Sequence, residues 1–155
     1  MIRLPASTVL VVIAVAATAC SSSGHGNTTS PAAAKYLAVA VVGNRGLDHA
    51  FDALDERDHD NLVAARADLR AAAEIERTFD RSLLTIAFSP AIEETARALA
   101  RVNEARAAVA SKASASTSLD ALHGYEGQLS AANAAVEKEV KTLRHQLGLP
   151  PPETG

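Results

Sequence analysis

An all-α fold, built as an up-down-up-down four-helix bundle over residues 31–149, is what this sequence predicts, and three observations predict it. The chain is rich in Ala, Leu, Glu and Arg, with no Trp and 3% aromatic residues, a composition that favours helix. Four long stretches carry apolar residues at alternating three- and four-residue spacing, the mark of a helix with one buried face. Helix start and stop signals bound them: Ser-Pro at two starts, and a Gly ahead of a proline run at the end. The alternative architecture is a three-helix bundle with a broken first helix.

The first stretch starts at Ser30-Pro31, with Ser as cap and Pro in the first turn. Its stripe runs Leu37, Val41, Asn44, Leu47, Phe51, Leu54. Gly43 and Gly46 interrupt it, each costing about 1 kcal/mol relative to Ala in a helix interior, so a kink or a close helix contact is expected there. Asp55 to Asp60 forms a polar turn. The second stretch places Leu62, Ala65, Leu69, Ala72, Phe79, Leu83 and Ile86 on one face. Glu76 falls in that stripe, with Ile75 able to rotate in beside it.

Ser89-Pro90 repeats the start signal. The third stretch presents Ile92, Ala96, Leu99, Val102 and Val109, with Arg106 near the seam. A Ser/Ala/Thr linker over residues 112–118 leads to Thr117-Ser118-Leu119-Asp120, a capping box with Asp in place of Glu. The fourth stretch is the most regular: Leu119, Leu122, Glu126, Leu129, Asn133, Val136, Val140, Leu143, Leu147, a coiled-coil-like seam. Gly148 marks its stop, and Pro150 to Pro152 open a proline-rich tail over residues 150–155. The short turns between stretches of similar length favour antiparallel neighbours.

Ahead of the body, residues 1–19 have the parts of an export signal. Arg3 is its positive charge, Val9 to Ala17 are nine consecutive apolar residues, and small residues precede Cys20, the single cysteine. The run is well short of the roughly 20 residues that span a bilayer as a helix. Ala17-Thr18-Ala19-Cys20 resembles the lipobox of bacterial lipoproteins, with Ala17 standing where leucine is usual. The resemblance implies cleavage between Ala19 and Cys20, a diacylglyceryl group on the Cys20 thiol, and a protein held at the extracytoplasmic face of the cell membrane by its lipid. Two or more acyl chains anchor stably, so the body need not bind lipid itself. Residues 21–30, Ser-Ser-Ser-Gly-His-Gly-Asn-Thr-Thr-Ser, hold no apolar side chain to bury and read as a flexible tether. In composition, the Ala-rich body resembles uncharacterised helical lipoproteins of high-GC, actinobacterial-type bacteria, a resemblance that carries no activity.

Charge narrows the function classes. The whole chain has net charge −3. Without residues 1–19 it loses only Arg3, leaving 14 basic against 18 acidic residues, a net −4. A nucleic-acid binder should show a basic face, and a membrane-surface helix a polybasic one. Scarce aromatics disfavour stacking platforms for sugars or bases. No Gly-x-Ser-x-Gly elbow or phosphate-cradling loop is present, and no nucleophile has a placed base, so an enzyme is not expected. Gly43-x-x-Gly46 and Gly124-x-x-Gly127 are read as close helix approaches.

Two sets of residues are candidates for binding. Asn44, Arg106, Glu126 and Asn133 sit in or beside predicted seams; they either satisfy one another and set register or line a ligand groove between bundle helices. His49 and His123, with Asp52 and Asp120 near, are candidates for a divalent metal, against a solvated acidic helix end. Glu56-Arg57-Asp58-His59 has the Glu-x-x-His spacing of di-iron bundles, but Asp120-Ala121-Leu122-His123 is its one near-repeat, and both lie near helix ends. No cofactor is expected. The leading expectation is a non-enzymatic envelope module that contacts another envelope protein through an exposed apolar or glycine-lined groove. The alternative is a small-ligand or metal-binding lipoprotein whose polar residues converge on a cavity.

Overall fold

A computed structural model describes residues 29–152, which form an antiparallel all-α four-helix bundle with no strand among the described residues. The signal segment 1–19, Cys20, most of the tether and the last residues of the tail lie outside the described residues. Helix α1 spans Pro31–Asp52 and runs on as a π-helical turn, Ala53–Arg57; α2 spans Leu62–Leu83 and α3 Pro90–Ala113. The fourth limb has two pieces, a short α4 (Leu119–His123) and α5 (Glu126–Gln146).

The helix starts follow local chemistry. Ser30 Oγ accepts from the Ala33 N–H at 3.1 Å, with Pro31 in the first turn. Asn61 Oδ1 accepts from the Val63 and Ala64 N–H groups at 3.2 Å each. Ser89 precedes Pro90 in extended conformation but makes no side-chain cap bond. At α4 the cap is Ser118, whose Oγ accepts from the Ala121 N–H at 3.2 Å. That is one residue later than the expected box, so Asp120 is not its reciprocal acid. The end of α5 is a complete Schellman motif: Gly148, at φ 68°, donates to the His145 carbonyl at 3.1 Å, and Leu149 to the Arg144 carbonyl at 2.9 Å.

Three expectations change. The first helix is unbroken through Gly43 and Gly46, so the three-helix alternative does not hold. These glycines mark the contact with α2: a Cβ on Gly43 would stand 3.1 Å from Phe79 Cδ2, and one on Gly46 3.1 Å from Ile75 Cδ1. The fourth segment, expected to be the most regular, breaks at Gly124-Tyr125, where the Tyr125 N–H bonds back to the Leu122 carbonyl in a tighter three-residue turn. Gly124 and Gly127 mark no close helix approach: Gly124 faces only its own turn, and Gly127 has open space.

Helix α1 lies against α2, α2 against α3, and α3 against α5; α1 and α5 make almost no close backbone approach. The bundle is therefore open along the α1/α5 edge. Its apolar core falls into two clusters. One, around Tyr36, Leu83, Leu99 and Leu143, fills the end where α1 starts and α5 finishes. The other, around Ala65, Leu69, Ala107 and Leu122, fills the end near α4. Small alanines in the second cluster allow the close α2/α3 approach. Between the clusters lies a layer of polar side chains.

Candidate functional site

The polar layer is built from stripe positions of α2 and α3. Glu76 follows Ala72 by one turn on α2, and Asp80 follows Glu76 by another. Asn103 and Arg106 sit one turn apart on α3, in line with Leu99 and Ala107. These spacings force all four inward, because neighbours at three and four residues share a helix face. Glu76 is 1% exposed and among the largest fully buried side chains of the described residues. Asp80 and Asn103 are also buried.

Asn103 Nδ2 donates to Asp80 Oδ1 at 2.8 Å. Arg106 Nη1 donates to Asn133 Oδ1 on α5 at 3.0 Å. Arg106 Nε lies 2.6 Å from Glu76 Oε1, a nearly buried ion pair. Beyond this pair, Glu76 Oε2 and Asn103 Oδ1 have no hydrogen-bond partner among the described residues. Orphaned buried acceptors are costly, so each calls for an explanation.

Electrostatics follow from this burial. Desolvation pushes the Glu76 carboxyl up to about 7, against the pull of Arg106, and the charge of Asp80 pushes the same way. Desolvation raises Asp80 to about 6, while its bond from Asn103 opposes the rise. Burial also pushes the Tyr36 hydroxyl up, with Arg144 acting in the other direction. Arg144 is itself buried and donates from Nε to the Pro150 carbonyl at 2.6 Å, tying the proline segment to the bundle.

All of these groups but Asp80, which lines the outer face of α2 and α3, face a cleft of about 100 Å³ along the open α1/α5 edge. Glu76, Asn103 and Arg106 form its floor; Asn44, Leu47 and Phe51 line it from α1, and Asn133, Val136 and Val140 from α5. Tyr36 and Arg144 lie toward one end, and Asp48 and Glu137 also line it. A second, wider groove of about 750 Å³ runs over the outer face of α2 and α3. It is open, and its charges largely pair among themselves: Arg77 with Glu104 at 3.1 Å, and Arg97 with Glu93. Of the two, the smaller cleft is the candidate site because residues lining it, Glu76 and Asn103, carry buried polar atoms left unpaired.

Of the residues expected to bind, Asn44, Arg106 and Asn133 come together in this cleft. Glu126 does not line it. The break at Gly124-Tyr125 makes Glu126 the first residue of α5, two turns and about 10 Å below Asn133 along the helix. His49 and His123 are exposed, and no group of three or more His, Cys, Asp or Glu among the described residues is placed to hold a metal. The acidic segment is largely solvated, with Asp52, Asp55, Glu56, His59 and Asp60 all exposed. The sequence reading missed the weight of Glu76: Ile75 does not replace it in the core but packs toward Gly46. It also missed Asp80 and Asn103. The available signal was a polar residue in the buried stripe of each of two adjacent helices.

No helix among the described residues is long and apolar enough to cross a membrane. Comparison of the chain with models of known protein families, with curated proteins and with solved structures gives no match.

Proposed function

We propose that this protein is a lipid-anchored, extracytoplasmic binding module without enzymatic activity, and that it holds a small ligand in the α1/α5 cleft. One observation carries this reading: Glu76 is buried at the floor of a cleft, with Oε1 ion-paired to Arg106 Nε at 2.6 Å and Oε2 lacking a hydrogen-bond partner among the described residues. A buried, perturbed carboxylate in a concave site is a common signature of a binding function. The volume bounds the ligand. About 100 Å³ is well under the roughly 300–1,000 Å³ of clefts for drug-sized molecules, and too small to seat a helix some 10 Å across.

Docking of another envelope protein receives less support. Gly43 and Gly46 are covered by Phe79 and Ile75 and offer no open glycine groove. The large apolar residues most exposed among the described ones are Val42 on α1 and Val63 and Leu84 at opposite ends of α2, the last two about 30 Å apart. The anchor reading rests on the lipobox-like Ala17-Thr18-Ala19-Cys20.

A thermal-shift screen of the full-length chain in detergent, against small cations, anions and neutral polar compounds, tests the cleft. Binders should raise the melting temperature and shift the Asn103 and Asn133 side-chain amide signals. A screen with no binder in any charge class would sink the reading. Mass spectrometry of the mature protein should find a diacylglyceryl-modified Cys20 at the N-terminus; an intact Met1 or an unmodified Cys20 would remove the anchor.

A further inference from the structure

Resting on the cleft as a binding site, we propose that its ligand is a small organic cation, a short alkylammonium, whose charged head sits against Glu76 and Asn103 and whose chain lies along the apolar walls. Four observations argue for it. Beyond the Glu76 Oε1–Arg106 Nε pair at 2.6 Å, the unpaired atoms of the floor are both acceptors, Glu76 Oε2 and Asn103 Oδ1. An ammonium group offers three N–H donors and no acceptor, so it complements that set. An anion would meet the Glu76 carboxylate, and the Arg106 Nε donor is already taken by that carboxylate at 2.6 Å.

Charge points the same way. The cleft is lined by three acids, Asp48, Glu76 and Glu137, and two bases, Arg106 and Arg144. Asp80 stands directly behind Asn103, bonded to it at 2.8 Å. Arg144 is turned to the Pro150 carbonyl and Tyr36, and Arg106 is engaged with Asn133 and Glu76. Glu137 is likewise engaged, by Lys141 at 3.3 Å, so the charge that favours a cation comes from Asp48 in the lining and Asp80 behind Asn103. The walls suit a short carbon chain: Leu47, Val136 and Val140 are apolar, and Phe51 and Phe79 bring aromatic rings, whose faces attract cations. About 100 Å³ corresponds to roughly three waters' share of liquid volume, hence a ligand of only a few heavy atoms.

The test titrates n-butylamine, n-butanol and butyrate into the full-length chain in detergent, with calorimetry for affinity and the Asn103 and Asn133 side-chain amides as NMR reporters. Butylammonium should bind at least tenfold tighter than either of the other probes. Glu76→Gln should weaken it at least tenfold, while Glu104→Gln, on the outer groove, should change it less than twofold. Should Glu76→Gln fail to fold, the order of the three probes on the wild-type chain decides alone. Butanol or butyrate binding as tightly as the amine overturns the cation and leaves the cleft standing as a site. No response to any of the three also overturns it, whereas the cleft itself fails only when the wider screen of charged and neutral compounds finds no binder.

Discussion

Glu76 works against the stability of the protein that contains it. Its carboxyl titrates near 7 in the fold and near 4.5 in an unfolded chain. Between those values the native protein keeps a proton that the unfolded chain has lost. The stability this provides is fully present below about pH 4.5 and is lost as the pH rises to about 7, by about 3 kcal/mol. Asp80, raised to about 6, adds a loss of the same sign over a lower window. Denaturant melts of the wild type should therefore show falling stability from pH 5 to pH 8. In Glu76→Gln the slope should be shallower, and at pH 8 the variant should be the more stable protein by about 1–3 kcal/mol. The attraction of Arg106 is already included in the balance that lifts Glu76 to about 7, and Arg106 keeps Asn133 and some solvent contact when Glu76 is neutralised. A wild type equally stable at both pH values would defeat this account. A carboxylate kept at such a cost is what a binding site predicts, because function commonly opposes stability at the residues that carry it.

Among the elements, the glycines separate contact from propensity. Gly127 has open space around its Cβ position, so Gly127→Ala should raise stability by about 0.5 kcal/mol through helix propensity alone. Gly43 faces Phe79, and Gly43→Val should lower stability by about 1–3 kcal/mol by forcing α1 and α2 apart. Thermal melts of the two variants check the pair; equal effects would mean that α1 and α2 do not pack through Gly43. The fourth limb shows why periodicity alone misled. The three-four spacing from Leu119 to Leu147 is compatible with one helix, but Gly124 and Gly127 lower the propensity near its start. The chain resolves the conflict by breaking at Gly124-Tyr125. Glu126 thereby becomes a helix start; its distance from the cleft comes from the two turns that separate it from Asn133 on α5.

At the scale of the whole molecule, two apolar clusters are joined across a polar layer. Leu99 is fully buried at the centre of the larger cluster, and Leu99→Ala should cost about 2–5 kcal/mol in a denaturant melt; a loss under 1 kcal/mol would place Leu99 outside the core. The helix count, the Ser30-Pro31 start and the Gly148 stop were legible because each has a local cause. So were Asn44, Arg106 and Asn133 as a converging set, since all interrupt apolar stripes. The open α1/α5 edge was not legible: the expected α1 stripe from Leu37 to Leu54 is only half-buried, and the buried face of α1 is Ala33, Tyr36, Ala40, Gly43 and Ala50. Glu76 escaped for a related reason. Helix periodicity ranks residues by face, while the choice between a buried glutamate and its neighbour Ile75 depends on Gly46 across the interface, which takes up Ile75.

The ionisation of the buried Glu76 carboxyl is measured most directly by following its side-chain carboxyl carbon by NMR through a pH titration of the full-length chain. The predicted midpoint is near 7, with the Asn103 side-chain amide and the Arg106 Nε–H signal responding over the same range. A midpoint near 4.5 with no response from Asn103 or Arg106 would mean that Glu76 is solvated, and would contradict both the buried polar floor and the cleft built on it.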